Sequence, residues 1–288
     1  MIESIDIKEL KGLEKATEQI HVAIQYLSMA GEFLGKTSQD GSHANLGWLA
    51  MKEKFITHPF GPKNGYVMEF SPENLTITIY NAAMKYEQEL KLKGLSQEEG
   101  VKWIKEKLKD LKIDGAKNYK IAPPYELPTY AYFVDKKFKK SPKKGFKTFA
   151  KMRSWAEYFA TKHSLAFPDA GPPRTWPHHL DHAVLIPLSR LKNGSLSKTI
   201  GMGLAIQDAM IDEPYFYVSV WQKDKKIDLS KMKSLKYGSW INEDYKGSVL
   251  KLSDVLEAPD FEDKIDTYFK ESLKQALAFL KVKPVNGK

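Results

Sequence analysis

The amino-acid sequence predicts an α+β fold in which antiparallel β meanders pack with long amphipathic helices. Three observations predict it. Apolar residues recur at helical spacing near both ends of the chain, alternating β-branched and aromatic runs cluster in two blocks, and Pro, Gly and Asn punctuate the joins.

Taken in order, residues 7–34 place Leu10, Leu13, Ile20, Ile24, Leu27 and Leu34 near a 3.6 period, and Gly35 ends the pattern: a long helix. From Trp48 to Tyr80 the texture is extended. The runs Tyr66–Phe70 and Leu75–Tyr80, joined by Ser-Pro-Glu-Asn, read as a hairpin. Ser96-Gln-Glu-Glu99 is a capping box that opens a second helix running to about 111. Residues 119–133, rich in Pro and Tyr, favour an extended crossing segment. A third helix is expected over 146–165, with Phe149, Met152, Trp155 and Phe159 on one side. Extended runs at 180–188, 199–206 and 215–222 suggest a second meander, and Phe261, Ile265, Phe269, Leu273, Leu277 and Leu280 mark a last helix over 261–280. The chain thus divides into a first α+β half, 1–135, a lysine-rich loop, 136–147, and a second half, 148–288, with one compact domain as the alternative. Both halves follow the order helix, His-containing approach, meander, helix, which raises the hypothesis that they are related.

Composition narrows the chemistry. With 42% apolar residues, 288 residues suffice for a core, and the absence of cysteine excludes disulfides, thiolate nucleophiles and Cys-ligated metals. Any metal must sit on nitrogen and oxygen. No apolar run reaches the roughly 18 residues of a membrane span, and the start does not read as a signal peptide, so a cytoplasmic location without a membrane partner is the expectation. The net charge of +9 is concentrated in Lys136, Lys137, Lys139, Lys140, Lys143, Lys144 and Lys147. That stretch lacks arginine, the residue suited to bidentate phosphate contacts, and reads as a solvated loop; nucleic acid is disfavoured as a partner.

The sharpest local signal is Arg174-Thr-Trp-Pro-His-His-Leu-Asp-His182, which holds three of the seven histidines. The apolar residues after it suggest entry into a strand. Alternation would then set His178, Leu180 and His182 on one face and His179, Asp181 and Ala183 on the other. A helix starting at Pro177 is the second option and would make His178 and His182 neighbours. Imidazoles beside a carboxylate could hold zinc, iron or manganese, with His178, His179, Asp181 and His43 as ligands, or work without metal. A buried hydrogen-bond network with no ligand is the bland alternative. The turn Gln207–Tyr217 supplies Asp208, Asp212, Glu213, Tyr215 and Tyr217 near one end of the same meander. The catalytic candidates are therefore His179, Asp181, Asp208 and Glu213, and the ligand-binding candidates Arg174, Trp176, Tyr215 and Tyr217.

No nucleotide cofactor is expected. Gly31–Thr37 has one residue too few for a phosphate loop and follows a helix, while Gly201-Met-Gly203 lacks the third glycine and helix of a dinucleotide fingerprint. A serine-hydrolase elbow and a His-Glu-x-x-His motif are absent.

Through Trp176-Pro-His-His-Leu-Asp181 and Asp212-Glu-Pro-Tyr-Phe-Tyr217, the chain resembles an uncharacterised, largely bacterial family with a Trp-Pro-His-His-Phe-Asp signature, a domain of unknown function. The likeness extends to Gly35-Lys36, His43–Trp48, Leu95–Glu99 and Tyr125–Pro128. It implies a site at Trp176, Pro177, His178, His179 and Asp181, and no activity. Leu180 stands where that pattern has Phe, and His182 where it is generally apolar. The expectation is an enzyme acting on a small polar molecule through a His/Asp site, as a metal-dependent hydrolase or in oxygen chemistry. The competing class is a non-catalytic module that binds a small ligand or a protein.

Overall fold

The structure, a computed structural model, describes residues 3–282 apart from 39, 82, 84, 131–135, 140–142 and 257. It is α+β: the described residues form four α-helices and two antiparallel sheets. The chain separates into two units. One comprises Lys8–Ser154 with Arg174–Leu180, the other Met1–Ile7, Trp155–Pro173 and Asp181–Lys288. The expected loop 136–147 falls in the former, as does most of the His-His run.

In the unit containing Lys8–Ser154, α1 (Leu13–Leu34) is followed by β1 (Gly47–Leu49), β2 (Lys54–Ile56), β3 (Tyr66–Ser71), β4 (Thr76–Asn81) and β5 (Tyr86–Lys91), paired in chain order as a meander. The β3–β4 hairpin matches the sequence reading, with Tyr66 opposite Asn81 and Ser71 opposite Thr76. The helix α2 (Gln97–Asp110) opens on the expected capping box, in which Ser96 Oγ accepts from the Glu99 N–H and Glu99 Oε2 accepts from the Ser96 N–H. Its core joins Ile20, Ile24 and Leu27 of α1 to Met68, Phe70, Ile77 and Ile79 of the sheet, with Phe55 stacked on Phe70 at 6.1 Å.

Two features of α1 depart from the periodicity argument. It begins only after Gly12, whose φ of 86° breaks the chain from a short 3-10 turn at Ile7–Leu10. From Gln19 to Gly31 it is buried on every side, so its polar residues are buried too. It ends where Gly35 turns extended while its N–H still donates to the Gly31 carbonyl at 3.1 Å, an approach so close that a Cβ on Gly35 would lie 2.8 Å from that oxygen.

The lysine-rich segment is a loop only in part. The helix α3 (Lys143–Ser164) already includes Lys143, Lys144 and Lys147, while Lys140 lies outside the described residues. Lys137 and Lys147 pair with Glu99 and Glu73 at 3.6 and 3.7 Å.

In the other unit, β7 (Asp181–Arg190), β8 (Leu196–Ala205) and β9 (Tyr215–Gln222) form the expected meander. Then β10 (Ser239–Asn242) lies outside β11 (Lys246–Lys251), giving the order β10–β11–β9–β8–β7. One face of this sheet packs on α4 (Phe261–Phe279) and on the second half of α3, where Phe159, Phe216 and Phe269 meet with ring centroids 5.7–6.3 Å apart. Among the described residues, no helix is long and apolar enough to cross a membrane.

Candidate functional site

The run from Arg174 does not enter its strand as alternation predicts. Arg174–Trp176 is a short strand, β6, whose Thr175 exchanges both backbone hydrogen bonds with Leu46, at 2.8 and 3.0 Å. The His43–Trp48 segment is thus bridged to the chain just before His178 and His179. Residues 177–180 then form a turn closed by the Leu180 N–H donating to the Trp176 carbonyl at 2.8 Å, with Leu180 at φ 52°. Strand geometry starts at Asp181. His178 and His179 are thus turn residues, neither two faces of a strand nor the first turn of a helix.

What holds this turn is a stripe of buried polar residues on α1. His21, Gln25 and Ser28 recur at intervals of four and three, which sets them on one face of the helix. His21 Nε2 and Gln25 Nε2 both donate to the Pro177 carbonyl, each at 2.8 Å. The Tyr125 hydroxyl donates to Gln25 Oε1 at 2.8 Å and lies 3.1 Å from the Ser28 hydroxyl, while Tyr130 Oη is 3.2 Å from His21 Nδ1. A single direction satisfies every group: Ser28 to Tyr125 to Gln25 to Pro177, and Tyr130 to His21 to Pro177. That direction requires a neutral His21 with its proton on Nε2. Burial, opposed in part by the bond to Pro177, lowers its pKa to about 4, so the ring is neutral at pH 7. On the far side of the turn, the fully buried Arg153, set over the Phe149 and Phe55 rings, donates to the Leu180 carbonyl at 2.8 Å.

The turn thereby presents His178. Its ring lies 4.3 Å from that of His179, 5.7 Å from Tyr125 and 6.2 Å from Trp176. It makes no hydrogen bond or ion pair with a described residue. Burial, aided by the neighbouring His179, lowers its pKa to about 4. His178 is therefore a half-buried, neutral imidazole whose nitrogens are uncommitted, whereas His179 is exposed.

The other candidates fall elsewhere. His43 pairs with Glu32 at 3.2 Å and with the Ser38 hydroxyl at 3.1 Å, pinning the short turn Ser42–Ala44 against the end of α1. Arg174 lies against Gly47, where a Cβ would come within 2.8 Å of its Nη1. In the unit holding the second sheet, Asp181 accepts from the Tyr217 hydroxyl and Asp208 from the Tyr215 hydroxyl, both at 2.6 Å. Asp208 also caps its own turn through the Met210 and Ile211 N–H groups. Burial and these carboxylates push the Tyr215 and Tyr217 pKa values upward, keeping both phenols protonated as donors. Tyr217 and Tyr245 pack on the cluster of Ala205, Ile211, Tyr215 and Val249. Glu213 turns away to the Ser253 N–H and hydroxyl at 2.8 and 2.9 Å, which makes it a clamp on the chain after β11. Asp212 is exposed. His182 is fully buried and pairs with Glu157 at 2.7 Å.

The proposed ligand set of His178, His179, Asp181 and His43 is not assembled: among the described residues, no three His, Asp or Glu side chains are grouped to hold a metal ion. The physical reason is the turn at 177–180, together with His43's engagement by Glu32 and Ser38. Sequence reasoning missed His21, Gln25, Ser28, Tyr125, Tyr130 and Arg153; the first three carried a readable signal in their helical spacing. Comparison with protein families, with curated proteins and with solved structures gives no match.

Proposed function

We propose that the chain binds a small polar molecule at His178 and recognises it through a neutral imidazole, without a metal ion. One observation carries this reading: a half-buried, uncharged ring with no hydrogen-bond partner among the described residues sits on a turn whose carbonyl is held by two buried donors. The ring nitrogens are not sealed from solvent, so a ligand can reach them, and bonds between protein and ligand would replace those made to water. A pKa of about 4 makes His178 a weak base at neutral pH, far from the matched value that proton abstraction favours. It suits instead the donation and acceptance of hydrogen bonds to a ligand carbonyl or hydroxyl. In the enzymatic form of the reading the neutral ring polarises that group, with His179 and Tyr125 at its sides. Membership in the family with the Trp-Pro-His-His-Phe-Asp signature belongs to the same proposal.

The test pairs ring titration by NMR with a thermal-shift screen of polar metabolites against the wild type and His178→Asn. The expected result is a His178 ring that stays neutral down to about pH 4 and ligands that stabilise the wild type but not a folded variant. Ordinary titration near pH 6.5, or ligands held equally by the variant, would overturn the reading. Ligands that depend on His178 but are returned chemically unchanged would make the chain a binding module and not an enzyme.

A further inference from the structure

A second site lies on the unit that carries the second sheet. Residues 223–238 link β9 to β10 without regular structure, and connections longer than about 12–15 residues are uncommon in compact folds unless they serve a function. This one is tied down at several points. Leu229 is buried and its N–H donates to Asn242 Oδ1, Asn242 Nδ2 donates to Asp228 Oδ1, and the Lys236 N–H donates to Glu271 Oε2 of α4, each at 2.8 Å.

Held in this way, the segment forms with α4 an open groove of about 920 Å³. Its apolar lining includes Met232, Leu235, Ala278 and Phe279, and Lys231, Lys233, Lys236 and Lys274 also line it. The carboxylates there are engaged: Asp228 accepts from Asn242 and the Ser230 N–H, and Glu271 accepts from the Lys236 N–H. By contrast, Lys231, Lys233 and Lys274 form no ion pair with a described residue. Across 223–238 there are six lysines, two aspartates and no arginine.

An apolar floor fringed by surplus ammonium groups matches a ligand with an apolar body and one anionic end. It does not match a nucleic-acid backbone, which would leave Met232, Leu235 and Phe279 uncovered and would favour arginine. The volume is in the range of small-molecule sites, and an unbranched Met side chain adapts to a flexible tail. We propose that this groove binds a free long-chain carboxylate, its tail along Met232, Leu235, Ala278 and Phe279 and its head among the lysines.

The experiment titrates the full chain with dodecanoate below its micelle concentration, following methyl-labelled methionines by NMR. The expected result is a saturable shift of the Met232 methyl. Dodecyltrimethylammonium, with the same tail and opposite charge, should leave it unmoved. Lys231→Gln/Lys233→Gln/Lys236→Gln should weaken binding about tenfold, and Leu235→Asp should abolish it, with the melting temperature of each variant checked against the wild type. The proposal is overturned by an absent shift, by equal response to the ammonium amphiphile, by undiminished affinity in the triple variant, or by binding only to vesicles of anionic lipid.

Discussion

The buried ring of His21 makes the stability of this protein depend on pH in a way that can be worked out in advance. Its pKa falls from 6.5 to about 4 on folding, chiefly by burial. Below pH 6.5 the unfolded chain takes up a proton at this ring and the folded chain does not, so acid favours unfolding. The contribution is fully present above pH 6.5 and is lost as the pH falls toward about 4. Integrated between pH 7 and pH 4.5, the difference amounts to about 2–3 kcal/mol from this residue alone.

The perturbation that isolates it is His21→Gln. Glutamine keeps an amide donor near the position of Nε2, 2.8 Å from the Pro177 carbonyl, but does not titrate. The other acid-sensitive groups are common to both proteins and cancel in the difference, except for the repulsion that His21 shares with His179 and His178. Urea unfolding at pH 7 and pH 4.5 should show the wild type losing about 2–3 kcal/mol more than the variant on acidification. Parallel losses in the two proteins would refute the reasoning, and so would a His21 ring that titrates near pH 6.5 in the folded wild type.

Three further outcomes follow from contacts elsewhere in the chain. Gly31→Ala, a change that in an exposed helix interior would stabilise by about 1 kcal/mol, should lower the melting temperature, because a Cβ there would lie 2.3 Å from the His43 carbonyl oxygen; a rise would contradict that close approach. Ser96→Ala should cost about 1 kcal/mol in denaturant unfolding, since it removes the side-chain acceptor of the Glu99 N–H, while Ser96→Thr should retain most of it. Tyr217→Phe removes the 2.6 Å donor to Asp181 and should cost about 1–3 kcal/mol; an unchanged midpoint would mean that the carboxylate is equally well satisfied without it.

What could be read in advance was local. The capping box at Ser96 and the hairpin Tyr66–Ser71 to Thr76–Asn81 each depend on residues close in sequence, and the structure has both. The strand Tyr86–Lys91 escaped because four of its six residues are charged or Gln, with Leu90 its only buried side chain. An edge strand carries little apolar alternation. The order of β10 and β11 escaped because nothing in Ser239–Asn242 says which neighbour it will accept.

The candidate site shows the same division more sharply. The density of histidines located the segment correctly, but its conformation turns on Leu180 at φ 52°, an arrangement that leucine does not favour and that must be imposed from outside. The imposing groups, His21, Gln25 and Arg153, lie far away in sequence and converge on the carbonyls of Pro177 and Leu180. Those partners were not beyond reach. A helix whose apolar residues surround it on every side must be buried, and polar residues recurring on it at intervals of four and three must then find partners outside the helix. Applied to His21, Gln25 and Ser28, that rule would have flagged α1 as part of a site from its own spacing. It would not have named Pro177 as the acceptor, because that pairing arises only when the strand at Thr175 is laid against Leu46.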